Sequence, residues 1–407
     1  MKSKSSLGFH TMTLALRLTH ADVERLLKHF WRYQERTGLI KMHIVRWLPG
    51  GREEYPEYRP KYNGTMLMFP LVTHVLPSDH KDHGIRWTIR CDRRNDEYKE
   101  YTLEARVNPK ILGNVHDYIT AANCVNMDVA IAEFNRISAD ISPLLGTFEC
   151  YTFKRVDYCV NLVLSELVPK CNSEQVIELI KRADVPSDYS VWTVYDETAH
   201  RQKSNPDSFY LKCGSVNINC YRKTVELQQR AEKAKGDTKE ALLEASRVAQ
   251  DVIRFEVQCK YPKMYALSRQ TGGCDFALNK YFNLLGYPTC LKQINDYYKK
   301  TIGAGDWFSL AVAQRIIKAQ RYNEQKRERL IDALRDVSQC RSLASAKAKY
   351  QGSDLAAFKR TLKDLTDIGI NPVTIPREWG IKHIPNLLHT FYDISGDRAL
   401  FPQMQLI

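Results

Sequence analysis

Three separate stretches of the chain, TFKRVDYCVNLVL (152–164), VNINCYRK (216–223) and VIRFEVQCK (252–260), alternate apolar and polar residues with a period of two. In the first, Arg155, Asp157, Cys159 and Asn161 share one face and Val156, Tyr158, Val160 and Leu162 the other. The second opposes Asn217, Asn219, Tyr221 and Lys223 to Val216, Ile218 and Cys220; the third opposes Arg254, Glu256, Gln258 and Lys260 to Ile253, Phe255, Val257 and Cys259. A slip of one residue would drive every charge into the core, so the pattern demands a sheet with one apolar face covered and one polar face set apart. Antiparallel pairing meets that demand, because parallel strands are buried on both faces and read as continuous apolar runs.

The rest of the chain supplies what such a sheet needs. FHTMTLALRL is a strand, followed by Thr19 as an N-cap with Asp22 three residues on and Val23, Leu26, Leu27 and Phe30 at helical spacing. RWTIRC and YTLEARV read as a strand pair, Trp47 to Tyr62 as a loop, and Asn126 to Ile141 as a helix. The theme then recurs: the 152–164 strand, Ser173 capping EQVIELIKRA, and the short strands SVWTVYD, SFYLKCG and VNINCYRK. Between Thr224 and Gln250, Gly236 breaks a charged stretch into two exposed helices, and beyond about Lys263 the pattern is helical only. The expectation is an α+β fold, a largely antiparallel sheet with flanking helices over residues 1–262, followed by an all-helical basic region over 263–407.

Charge narrows the choice of partner. Lys and Arg number 60 against 47 Asp and Glu, a net charge of +13, which favours a polyanion such as nucleic acid. Eleven cysteines without a C-x-x-C pair indicate neither a disulfide framework nor a zinc ribbon, and the expected setting is the reducing cytoplasm. No apolar run approaches bilayer length, so no membrane partner is expected. No Walker loop and no G-x-S-x-G elbow occurs. In the helical region Lys318, Arg321, Lys326 and Arg327 cluster over two successive segments around Tyr322, on short helices of the kind that build helix-turn-helix modules; they are the expected duplex-DNA contacts, the alternative being a solvated face.

The chemistry-bearing candidates lie on the three alternating strands. Tyr221 sits among polar groups: either it ends an edge strand and packs against the following helix, or it is a nucleophile whose deprotonated form the neighbouring Lys223 favours. Asp157 is an acid in mid-strand, paired with Arg155 or free to ligate; Glu256 is part of an ordinary exposed face or a second oxygen ligand. Two such oxygens on neighbouring strands suit Mg²⁺ or Mn²⁺. Matching parity predicts Asp157, Tyr221 and Glu256 on one common face of the sheet. His80 and His83 could grip a metal but lie in a charged loop and are expected to be solvated, and Glu104 is a third possible acid, expected instead to pair with Arg106 on the surface.

The order R-V-D-Y (155–158), N-I-N-C-Y-R-K (217–223) with a charged helix after it, then R-F-E-V-Q (254–258) resembles the trans-acting Rep proteins of rolling-circle plasmids and related phages and mobile elements. The resemblance covers roughly residues 150 to 262. It implies Tyr221 as the nucleophile that nicks one strand, Lys223 as its neighbour, and Asp157 and Glu256 as metal or phosphate-site groups. The His-hydrophobic-His element of many rolling-circle nickases is absent, and position 225 is valine where a second tyrosine one turn on would stand.

The reading that follows is a replication initiator acting as a metal-dependent DNA endonuclease and strand transferase. It binds an origin, joins Tyr221 to the 5′ phosphate and leaves a 3′ hydroxyl, with Lys223 or Arg254 sharing the developing charge. Its expected partners are origin DNA, duplex and single-stranded at the nick, a host helicase and a DNA polymerase, with a homodimer left open. The alternative from another class is a non-catalytic DNA-binding regulator of a plasmid or phage. A conjugative relaxase is a third reading, disfavoured without a histidine triad.

Overall fold

The computed structural model describes residues 6–48, 51–55, 71–77, 82–94, 98–113, 117–168, 170–196, 201–270 and 283–395. Its strands are β1 (Ser6–Leu18), β2 (Ile40–Leu48), β3 (Gly51–Tyr55), β4 (Leu71–Pro77), β5 (Ile85–Arg94), β6 (Tyr98–Val107), β7 (Thr152–Val163), β8 (Ser190–Val191), β9 (Thr193–Asp196), β10 (Arg201–Ser204), β11 (Ser208–Lys212), β12 (Val216–Arg222) and β13 (Val252–Lys260). Eleven of them form one sheet in the order β3-β2-β4-β5-β6-β1-β7-β13-β12-β11-β8, and its ladders are antiparallel. The α+β architecture with a large antiparallel sheet is thus as the alternation requires.

The recurrence in the sequence has a spatial counterpart. In the first half β1 leads, a helix follows at His20–Thr37, and β6 returns to pair with β1; in the second, β7 leads, a helix follows at Ser173–Lys181, and β13 returns to pair with β7. The halves join where the leading strands β1 and β7 pair. The first helix starts as its sequence dictates: the Thr19 side chain accepts from the Asp22 amide, the Asp22 carboxylate accepts from the Thr19 amide, and Gly38 closes the helix in the left-handed region.

The apolar face of the central strands carries the main core. Val156, Tyr158, Val160, Ile253, Phe255, Val257, Val216 and Ile218 are all buried there, beneath helices that include Ser173–Lys181 and Tyr287–Thr301. Phe255 meets Tyr298 edge-on, and Tyr298 meets Phe391, so aromatic contacts link the sheet to the last described helix. One apolar cluster runs from Leu7 to Phe391, across the end of β13 at Lys260. Among the described residues no helix is long and apolar enough to cross a membrane.

Several local expectations change. Gly51–Tyr55, read as loop, pairs with β2 as a strand. The cap of the second-half helix is Asn172 rather than Ser173, because Asn172 and Gln175 form the reciprocal box, which frees the Ser173 hydroxyl to donate to the Gln250 carbonyl. SVWTVYD splits into two strands that pair with different partners. Strands do not wholly cease after residue 263: β14 (Trp307–Phe308) and β15 (His383–Ile384) pair and tie the last segment back to the helical region.

Gly8 in β1 has a steric duty. A Cβ there would stand 1.9 Å from the Ala122 carbonyl oxygen, which accepts from the Phe9 amide at 2.7 Å. Only hydrogen allows the 121–123 segment to lie this close against β1. Gly8→Ala is expected to cost roughly 1–3 kcal/mol, as overpacking does; denaturant unfolding would measure it, and a midpoint equal to the parent's would refute the packing argument.

Candidate active site

The ladder registers bring the polar faces together. Asn219 lies opposite Glu256, Tyr221 opposite Arg254 and Asn217 opposite Gln258; on the other side of β13, Gln258 lies opposite Asp157, Glu256 opposite Cys159 and Arg254 opposite Asn161. Asp157, Tyr221 and Glu256 therefore project from one face of the sheet, and all three line a cavity of about 350 Å³. Arg106, Arg155, Asn219, Glu226, His10 and Thr11 also contribute to its wall.

A β-bulge delivers the last two. Between the Phe9–Tyr158 and Met12–Val156 pairs, β1 has one residue more than β7, so His10 and Thr11 both oppose Asp157. The Thr11 hydroxyl donates to Asp157 Oδ2, and His10 Nδ1 stands 3.0 Å from Glu256 Oε1. These two residues were not among the sequence candidates. Their signal was there in FHTM, where two polar residues in succession interrupt the alternation, as one extra residue in a strand must.

Tyr221 donates from its hydroxyl to Glu256 Oε1 at 2.7 Å. Burial, and then the charge of Glu256, hold the phenol well above its ordinary pKa, so at rest it is a neutral donor. Glu256 is itself buried, which acts to raise its pKa. His10, Arg254 and the Tyr221 bond outweigh that and keep the carboxyl well below the usual carboxylate range. Asp157 is fully buried, which pushes its carboxyl up against the opposing pull of Arg155. Arg155 forks onto it with Nε to Oδ1 at 2.6 Å and Nη2 to Oδ2 at 2.8 Å.

Lys223 and Arg254 are placed differently from Tyr221, and neither contributes to the cavity wall. Lys223 opens the Lys223–Lys233 helix instead of ending the strand, because β12 stops at Arg222. Its ammonium is 2% exposed and meets Glu226 Oε2 at 2.6 Å. Arg254 is buried beneath the site, donating from Nε to Asn161 Oδ1 at 2.7 Å and from Nη2 to the Ile119 carbonyl at 2.7 Å, with Nη1 4.0 Å from Glu256. The guanidinium thus fastens the turn around Ile119 to the sheet and faces Glu256 with positive charge. Arg106 is exposed on the other flank, and the expected pair with Glu104 is not what forms: Glu104 meets Arg90 at 3.0 Å. The two side chains of β5 and β6 stand diagonally across the ladder, within reach of one another.

The donor set bears on a divalent ion. On the cavity wall Glu256 Oε1 is shared by the Tyr221 hydroxyl and His10 Nδ1 and Glu256 Oε2 accepts from Gln258 Nε2 at 3.3 Å, while both Asp157 oxygens are engaged by Arg155 and Thr11. Among the described residues no three His, Cys, Asp or Glu side chains gather closely enough to make a metal cage. Such a set fits an open site for a hard ion that takes water and phosphate oxygens as its other ligands, and it does not fit a closed structural one. Of the two loop histidines, His80 lies outside the described residues, and the His83 ring packs against Trp87.

The four basic candidates of the helical region are unequal. Lys318 and Arg321 are exposed. Lys326 meets Asp364 at 3.4 Å and lies over the Tyr322 ring, and Arg327 donates to the Gln320 carbonyl at 3.1 Å.

The fold invites comparison with solved structures. The chain is similar to a rolling circle replication initiator protein from Geobacillus stearothermophilus, at 8% identity over 65% of this chain and 78% of that one, with a TM-score of 0.28. A likeness at this level assigns no residue. No protein-family model matches the sequence, and no curated protein does.

Two expectations follow from the site. Burial, and then the charge of Arg254, lower Lys223 to about 7 from 10.5, so between those values the unfolded chain binds a proton that the folded chain does not. Stability must then rise with pH across that window, by up to about 1.4 kcal/mol per unit. Urea midpoints from pH 7 upward should show this slope in the parent relative to Lys223→Met; parallel curves would refute it. For DNA, alanine at Lys318 and Arg321 together should flatten the logarithmic salt slope of duplex binding by about two units. Adding alanine at Lys326 and Arg327 should change it little further. An unchanged slope in the double variant would leave that face as solvated surface.

Proposed function

We propose that the chain is a DNA-nicking replication initiator in which Tyr221 attacks a phosphodiester and becomes joined to the 5′ phosphate. One observation carries the reading: the phenol and the ionised Glu256 are hydrogen-bonded on the wall of a cavity that Arg106 and Arg155 flank. A neutral phenol is a poor nucleophile. A carboxylate within bonding distance orients it and gives its proton a path out.

In the reaction, Tyr221 Oη forms a bond to phosphorus while the bond to the 3′ oxygen breaks. The phenolic proton leaves along its hydrogen bond to Glu256 and passes on to solvent, since so acidic a carboxyl does not keep it, and the departing 3′ oxygen takes up a proton. One phosphodiester is exchanged for another, so rejoining needs no nucleotide. Arg106 and Arg155 face the position where non-bridging oxygens gain charge, and Asp157 fixes the Arg155 fork. His10 beside it and Arg254, buried below, keep Glu256 ionised. Glu256 and His10 would hold Mg²⁺ or Mn²⁺, which when bound polarises the phosphate, while Asp157 stays committed to Arg155 and Thr11. The exposed cations Lys318 and Arg321 would contact duplex DNA at the origin; helicase, polymerase and a second copy of the chain belong to the same proposal.

The test is incubation with supercoiled DNA carrying the cognate origin and Mg²⁺ or Mn²⁺. The expected product is an open circle with protein covalently attached, absent when EDTA is added. Tyr221→Phe should abolish it while binding stays within a few-fold of the parent, since the loss of one hydroxyl hardly changes volume. Nicking by Tyr221→Phe at near the parental rate would overturn the assignment of the nucleophile. Binding without nicking by the parent chain would leave a DNA-binding regulator.

A further inference from the structure

Two strand positions along β11 from the Ser208–Tyr221 pair lies Tyr210, and two further on lies Lys212, both on the cavity side of the sheet. Strand rise makes each step about 7 Å. Tyr210 is anchored there, since its hydroxyl accepts from Asn217 Nδ2 at 3.0 Å and donates to Gln258 Oε1 at 3.3 Å. Beyond it stands Trp192, whose amide donates to the Tyr210 carbonyl at 2.8 Å and whose ring meets the Tyr210 ring at 6.5 Å and 62°. The Lys212 ammonium lies 3.1 Å from the centre of the indole and 5.4 Å from that of the phenol.

Trp192 is 48% exposed, an uncommon setting for the largest apolar side chain when the core is near. Neither the apolar core nor the proposed chemistry uses its ring. An exposed indole that carries a cation over one of its faces, on the same side of the sheet as the nucleophile, has the makings of a platform for nucleobases: a base has a π-face to stack against the rest of the ring, and the ammonium neutralises the phosphate that comes with it. The spacing also fits, since nucleotides of an extended single strand and successive same-face residues of a β-strand repeat at similar distances.

We propose that Trp192, Tyr210 and Lys212 form a base-stacking subsite for single-stranded DNA, holding the bases one or two nucleotides from the phosphate presented to Tyr221. The proposal rests on the nicking function put forward above and adds how the unpaired strand is gripped. Duplex DNA is the wrong occupant, because its bases present no free face. The subsite reads no sequence, since stacking tolerates any base.

The experiment uses the full chain in the Tyr221→Phe background with EDTA present, so that no cleavage enters the reading. The probe is a fluorescently labelled twelve-nucleotide oligodeoxythymidine, followed by anisotropy. Trp192→Ala should weaken binding about ten-fold, within the range found for loss of one stacking aromatic, and Trp192→Phe should recover most of it. The salt slope should be unchanged by Trp192→Ala and reduced by about 0.7 by Lys212→Ala. Affinity for a blunt duplex of the same length should be unaffected by Trp192→Ala. A parental affinity in Trp192→Ala would overturn the subsite, as would an equal loss on duplex, or a change in sedimenting mass that made the indole a contact between copies. An unfolded Trp192→Ala would be seen by circular dichroism, and Trp192→Phe against Trp192→Ser then decides the same question. Should the parent fail to nick origin DNA while the Trp192-dependent binding persists, the nicking function falls and the subsite stands. Nicking with a Trp192-independent affinity overturns the subsite and leaves the nicking function in place.

Discussion

The pairing of β13 with β7 on one side and β12 on the other is the constraint on which the site depends. Each strand alone offers an alternating row of polar side chains of no particular meaning. Locked in this register, the rows merge into one polar surface backed by a continuous apolar one. The apolar side enforces the alignment: Phe255, Val257, Val160 and Tyr158 are fully buried, and a one-residue slip would exchange them for Arg254, Glu256, Asn161 and Asp157. The charges are thus placed by what packs on the opposite face of the sheet, and hydrophobic burial far from the cavity sets its geometry.

Holding so many ionisable groups in little water carries its own requirement. Each buried charge has a counterpart: Asp157 with Arg155, Glu256 with His10 and Arg254, Lys223 with Glu226. Removing one partner would strand the other, so the members of this network act jointly. Arg254 illustrates the coupling best. A single guanidinium pins the Ile119 turn, orients Asn161 and, together with His10, helps to hold Glu256 ionised beside the Tyr221 hydroxyl.

What could be read from the sequence divides along physical lines. Period-two alternation is local, so the strands 152–163, 216–222 and 252–260 and the common face of Asp157, Tyr221 and Glu256 were legible without coordinates. Capping chemistry is local too, and it located the His20–Thr37 helix. What depends on long-range register was hidden. His10 is far from Glu256 in sequence, and only the bulge between β1 and β7 joins them, although the doublet His10-Thr11 marks the bulge itself. Lys223 looked like the last residue of a strand because an alternating pattern has no way to announce the turn into a helix. The pairing choice of Glu104 was equally hidden, since both Arg90 and Arg106 suit a carboxylate and only strand geometry selects one.

The central place of β1 also has a consequence in time. As the ribosome delivers the chain, β1 emerges first, gains one neighbour only when β6 appears, and has its second edge open until β7 follows some fifty residues later still. Synthesis at roughly 5–20 residues per second leaves that edge exposed for several seconds. During that interval the row of free amides and carbonyls flanked by Phe9, Met12 and Leu14 is a template for any other extended chain, including a nascent copy of itself. High contact order of this kind makes the molecule a slow folder. Its yield in a cell then depends on how well that one strand is sheltered before its partner arrives.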